Sequence, residues 1–171
     1  MSPAPFAQEL NALFDPDAVI AEVHLLATSA EGEKRTAVAQ RLKAVLAESS
    51  VKAETLLLKE RQGGRCAARL SQMQDDIIRV IYTFAVTCLY PSQSPSESER
   101  MAIVATGGYG RGLMAPGSDI DLLFLLPYKQ TAWGEQIAEV ILYCLWDMGL
   151  KVGHATRSID DCIRLARADM T

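Results

Sequence analysis

Residues 107–122 read Gly107-Gly-Tyr-Gly-Arg-Gly-Leu-Met-Ala-Pro-Gly-Ser-Asp-Ile-Asp-Leu122. A glycine pair is followed, ten residues on, by an aspartate–hydrophobic–aspartate–hydrophobic run. Apolar segments flank this stretch. Met101-Ala-Ile-Val-Ala-Thr106 precedes it, and Asp119 to Leu126 begins with alternation and ends wholly apolar. Both predict short buried strands. Strand, glycine turn and second strand together bring the two ends of the segment to one sheet edge.

The residue types point to phosphate and metal chemistry. In a strand, side chains two apart share a face, so Asp119 and Asp121 would point the same way, with Cβ atoms roughly 6–7 Å apart. Two carboxylates at the mouth of an apolar sheet repel each other unless a cation or proton lies between them. Mg²⁺ suits such a pair, because it takes carboxylate oxygens and keeps positions for water and phosphate; a two-metal displacement could share the same ligands. Gly107 and Gly108 follow the first strand directly and let backbone N–H groups approach an anion closely. Arg111 offers a planar fork for phosphate oxygens, and Ser118 a hydroxyl beside the aspartates. Each feature alone is ordinary: a Gly-Gly pair is usually just a turn, an Asp-x-Asp just a loop. The combination at this spacing is specific.

Working outward, the first ninety residues read as helices. Asp15-Pro16 is a start signal, with Val19, Ile20, Val23 and Leu26 at helical spacing after it. Val38, Leu42, Val45 and Leu46 line one face of a second segment. A third runs from about Gly64 to Tyr90. Pro91 to Glu99 lacks apolar residues and holds two prolines, which predicts a loop. Beyond the signature, Trp133 to Met148 predicts a helix closed by Gly149. Lys151 to Thr156 predicts a third strand, and Ser158 the N-cap of a last helix. The expected divisions are a helical region over 1–90, a linker over 91–100 and a core over 101–171.

The bulk numbers agree with one domain and a helical appendage. The chain has 171 residues, is 49% hydrophobic and carries a formal net charge of -4. That balance does not indicate a nucleic-acid-binding surface. No apolar run reaches the roughly 20 residues needed to span a bilayer, and the N-terminus lacks the pattern of a signal peptide. The expectation is a soluble cytoplasmic protein with no membrane partner. Cys66, Cys88, Cys144 and Cys162 form no CxxC pair and read as reduced thiols in or near the core. Trp133 and Trp146 read as core residues, and His154 as a core histidine or a support of the site.

Other phosphate and metal motifs fail on detail. No register fits G-x-G-x-x-G, and a strand, not a helix, follows the glycines. There is no G-K-[ST]. A calcium loop beginning at Asp119 would need glycine where Phe124 stands. Sugar-nucleotide transferases also use Asp-x-Asp, typically at the end of a strand where here the pair begins one, and they stand as the principal enzymatic rival.

The Gly107-Gly108 … Asp119-x-Asp121 pattern resembles the DNA polymerase β-like nucleotidyltransferase superfamily. Gly107-Gly-Tyr-Gly-Arg-Gly, Pro116-Gly-Ser-Asp-Ile-Asp-Leu-Leu and Leu145-Trp-Asp-Met-Gly-Leu-Lys-Val-Gly-His154 together resemble the bacterial PII uridylyltransferase/uridylyl-removing enzymes. The likeness covers most of the chain, the N-terminal helices included. It implies an α+β fold, with N-terminal helices packed beside a small mixed β-sheet nucleotidyltransferase domain, incomplete at its C-terminus. It implies Mg²⁺-dependent transfer of UMP from UTP to a tyrosine of the PII nitrogen-regulatory protein, with release of pyrophosphate. Asp119 and Asp121 would be catalytic metal ligands; Gly107, Gly108, Ser118 and, more weakly, Arg111 would hold the nucleotide. The superfamily usually adds a third carboxylate from a later strand, yet Lys151 to Thr156 holds none. Asp160 and Asp161 follow that strand and read as the first turn of a helix. The family's enzymes are much longer, with uridylyl-removing and glutamine-sensing domains for which this chain has no counterpart, so an N-terminal portion is expected. A catalytically inactive module and an adenylyltransferase of the same superfamily stand as alternatives.

Overall fold

The structure, a computed structural model, describes residues 12–29, 34–91, 100–127 and 131–169. The predicted loop over Pro91 to Glu99 therefore lies, apart from Pro91, outside the described residues. Three helices come first: α1 (Pro16–Ser29), α2 (Lys34–Glu60) and α3 (Gly63–Phe84). Asp15 caps α1 as its sequence predicts, with Oδ1 accepting from the N–H groups of Asp17 and Ala18 at 3.0 and 3.2 Å. The final turn of the third segment, Ala85–Leu89, widens to a π-helix closed by Tyr90 N–H on Ala85 O at 2.8 Å.

The remainder runs β1 (Ala102–Ala105), a 3₁₀ turn (Tyr109–Arg111), β2 (Ile120–Leu126), α4 (Ala132–Asp147), β3 (Val152–Ser158) and α5 (Ile159–Asp169). The sheet order is β1-β2-β3. β1 pairs antiparallel with β2 across the 106–119 connection, and β2 pairs parallel with β3 across the α4 crossover. Gly149, at φ +86°, ends α4 as predicted. Ser158 caps α5 reciprocally: its Oγ accepts from Asp161 N–H at 3.1 Å and donates to Asp161 Oδ2 at 2.8 Å. The predicted α+β class holds.

One hydrophobic core runs through both halves. Val23, Val38, Leu42, Ile77, Ile81 and Phe84 of the helices join Ile120, Leu122, Phe124, Ile137, Ile141 and Leu145. The helices cover only one face of the sheet. Along β2 the residues Ile120, Leu122, Phe124 and Leu126 are buried, whereas Asp121, Leu123 and Leu125 are half-buried. β1, expected as a buried strand, is an edge strand with Ala102 and Val104 exposed. An edge strand on a one-sided sheet keeps only alternate residues covered, so an all-apolar run does not imply burial on both faces. Trp146 is exposed, not in the core, and stacks edge-on with Tyr143 at 5.5 Å. Trp133 is half-buried and ties the helical region to α4 through Nε1 on Tyr90 O at 3.2 Å. Among the described residues no helix is long and apolar enough to cross a membrane. All four cysteines are free thiols, with Cys66 and Cys144 buried.

Candidate active site

The chain leaves β1 at Thr106, whose N–H still pairs with Asp121 O at 2.9 Å. Gly107 then takes the left-handed conformation, φ +57°, which glycine reaches without the Cβ penalty. Gly110 N–H on Thr106 O at 2.7 Å and Gly112 N–H on Tyr109 O at 2.9 Å close the turn. Arg111 folds back, and its Nη1 donates to Gly107 O at 3.1 Å. Gly108 is helical, and a Cβ there would meet only the Arg111 guanidinium, at 3.6 Å. Among the described residues nothing else fills the space a side chain at 108 would take, which leaves it open to approach from outside.

Asp121 lies between two glycines. A Cβ on Gly107 would fall 2.3 Å from Asp121 Oδ2, and one on Gly153 would fall 2.6 Å from Oδ1. Gly153 is the partner of Asp121 in the parallel register of β2 and β3. The two glycines therefore form a slot, one wall from the turn and one from the neighbouring strand, that only residues without a side chain leave free for the carboxylate. Asp119 sits one residue ahead of β2 and is exposed. Only Asp121 therefore has its direction set by the strand; Asp119 follows the turn at Pro116–Gly117 and is placed by the loop. Among the described residues neither aspartate has a side-chain hydrogen bond or ion pair of its own. Two uncompensated carboxylates beside a glycine turn are a donor set that fits a hard divalent cation. No third His, Cys, Asp or Glu clusters with them among the described residues.

The third strand places Gly153, Ala155 and Arg157 on the face of Asp121, and none of these is acidic. Asp160 and Asp161 lie in the first turn of α5, where Asp161 serves the cap. His154 pairs in register with Leu122, so it lies on the opposite face from Asp121. It is exposed, its ring edge-on to Trp146 at 6.0 Å; of the two places expected from its sequence, in the core or in support of the site, it does not occupy the core, and its register puts it on the face away from Asp121. Ser118 is exposed beside Asp119 and lines a cleft of about 520 Å³ between the 114–118 loop, α2 and α3.

Two contributors escaped the sequence reading. Gly153 carried a signal, since glycine inside a strand marks close approach by another group. Asp75 carried none; it meets Tyr109 only through the fold, accepting a short hydrogen bond from the Tyr109 hydroxyl across 34 positions.

Residues 94–167 match the family described as the nucleotidyltransferase domain. The chain is 62% identical, over 96% of its length, to the bifunctional uridylyltransferase/uridylyl-removing enzyme of Bradyrhizobium diazoefficiens. It is 62% identical over its whole length to that of Rhodopseudomonas palustris, and 59% identical over 92% of its length to that of Nitrobacter hamburgensis. It spans 18% of the length of the first two relatives and 17% of the third. No solved structure matches it. Residues 94–167 thus carry a nucleotidyltransferase domain, and the resemblance to the uridylyltransferase/uridylyl-removing enzymes extends along nearly the whole chain.

Proposed function

We propose that this nucleotidyltransferase domain transfers UMP from UTP to a tyrosine of the PII nitrogen-regulatory protein, releasing pyrophosphate, with Mg²⁺ held by Asp119 and Asp121. The observation that carries the proposal is the Asp121 slot: a carboxylate with no side-chain partner among the described residues, framed by Gly107 and Gly153 beside an open glycine turn. The base and the acceptor come from the likeness to uridylyltransferases. When bound, the metal neutralises charge on the triphosphate.

The chain's own residues bind and orient. Backbone N–H groups at Gly107 and Gly108 and the Ser118 hydroxyl receive triphosphate oxygens. Arg111 spends one donor on Gly107 O and keeps the rest of its fork for phosphate. The tyrosine oxygen of the acceptor attacks the α-phosphorus, the bond to pyrophosphate breaks, and the phenolic proton passes to a carboxylate of the pair. Residues 101–171 supply these groups, residues 1–90 support them, and the domain acts in the cytoplasm, where the signalling partner would be met.

The test is incubation of the chain with labelled UTP, Mg²⁺ and purified PII protein, with Asp121→Ala alongside. Label on PII with the wild type and none with the variant is expected. Equal labelling by both would overturn the site, and label from ATP but not UTP would favour the adenylyltransferase. Mg²⁺-dependent UTP binding without transfer would mark an incomplete catalytic set, the outcome expected of a module that keeps half a site.

A further inference from the structure

We propose that Asp75 and Tyr109 are positioning residues that clamp the glycine turn onto α3, making the N-terminal helices a working part of the phosphate site; this rests on the function proposed above. Tyr109 is the residue directly after Gly107-Gly108, it is buried, and its hydroxyl donates to Asp75 Oδ1. Burial first, and then the Asp75 hydrogen bond, push its phenol well above the usual value, so the proton needed for that bond stays on.

A second tie lies along the same helix. Met114 N–H donates to Ser71 Oγ at 3.0 Å and to Ala67 O at 3.3 Å, while the Ser71 hydroxyl donates to Ala67 O at 3.1 Å. Ala67, Ser71 and Asp75 are spaced i, i+4, i+8 and form one line along α3. The segment after Gly108 is therefore fastened at Tyr109 and again at Met114, on either side of Arg111 and the left-handed Gly112. α3 is itself immobilised by Ile77, Ile81 and Phe84, all fully buried.

Packing alone does not account for the tie. Asp75 is exposed, so its carboxylate fills no space in the core. A phenylalanine at 109 would occupy the same volume without the directional bond. A glycine pair has more backbone freedom to lose than any other dipeptide, and tethering its neighbour removes part of that freedom before the nucleotide arrives.

The experiment measures two quantities on the 171-residue chain: the Kd for Mg·UTP, by calorimetry, and amide hydrogen exchange over residues 107–112. Tyr109→Phe and Asp75→Ala should each raise Kd about three- to tenfold, the range of one lost hydrogen bond. Each should also speed exchange at 107–112 while α3 and β2 keep theirs. The double variant should bind no more weakly than either single one, because both remove the same bond. Asp75→Asn, which keeps an acceptor, should bind within about twofold of wild type, on the same hydrogen-bond scale. Wild-type Kd and exchange in Tyr109→Phe, or strictly additive losses in the double variant, would overturn the clamp. The function and the clamp fail differently. No Mg·UTP binding by the wild type would overturn the function and with it the phosphate role of the clamp. Binding abolished by Asp121→Ala but untouched by Tyr109→Phe would overturn the clamp alone.

Discussion

Replacing Gly153 with alanine tests the slot around Asp121 most directly. Gly153 is not among the glycines with positive φ, so its backbone accepts alanine without strain. The added Cβ would stand 2.6 Å from Asp121 Oδ1, about 0.8 Å short of the 3.4 Å at which ordinary contact begins. Retreat toward Gly107 is blocked, because that wall already lies close to Oδ2. The carboxylate must rotate or shift by most of an ångström, and a misplacement of about 1 Å in a reacting constellation costs on the order of 10²-fold. The expected result is a loss in kcat/KM of about 10- to 100-fold, equivalent to about 1.4–2.7 kcal/mol at the transition state. The apparent Mg²⁺ affinity should weaken in parallel. Folding should not suffer, because alanine in a strand is about 0.5–1 kcal/mol better than glycine for the backbone. The assay is a Mg²⁺ titration of UTP binding and of transfer to PII, beside a thermal melt. A folded Gly153→Ala protein with wild-type Mg²⁺ dependence would refute the slot.

Three further outcomes are expected. Burial pushes the Cys144 thiol up to about 12, so few thiolates form there; a thiol reagent at neutral pH should label the half-buried Cys88 and Cys162 in the native state and Cys144 only on unfolding, with mass spectrometry reading the sites. The Arg164 hydrogen bond first, and the Ser158 bonds after it, hold the Asp161 carboxyl down at about 2. Its capping contribution should therefore be complete above the ordinary aspartate value of about 3.9 and vanish as pH falls through about 2; exchange at the α5 amides should rise across that window in the wild type and show no such step in Asp161→Asn. Phe124 is fully buried at the centre of β2, and Phe124→Ala should cost about 3–5 kcal/mol, read as a fall in the urea midpoint with the slope unchanged.

Much of the architecture was legible in the sequence because its signals are local. The Asp15 cap, the Gly149 stop and the Ser158–Asp161 box each act within a few residues, so composition at those positions suffices. Hydrophobic periodicity located the helices and the β1–turn–β2 unit for the same reason. Where burial depended on what lies opposite, the local signal misled. β1 reads as wholly apolar yet forms a half-open edge, and Trp146, apolar by type, lies on the surface.

The site divides along the same line. The sequence by itself singled out the candidate residues, because the glycine pair and the Asp-x-Asp form one local pattern within residues 107–121. The tertiary structure alone decided what holds them in place. Gly153 reaches Asp121 only after α4 has carried the chain back to a parallel strand, and Asp75 reaches Tyr109 only when α3 packs beneath the sheet. Contacts across 32 and 34 positions come from strand register and helix packing, and both are set by burial of the common core, which no local stretch of sequence encodes.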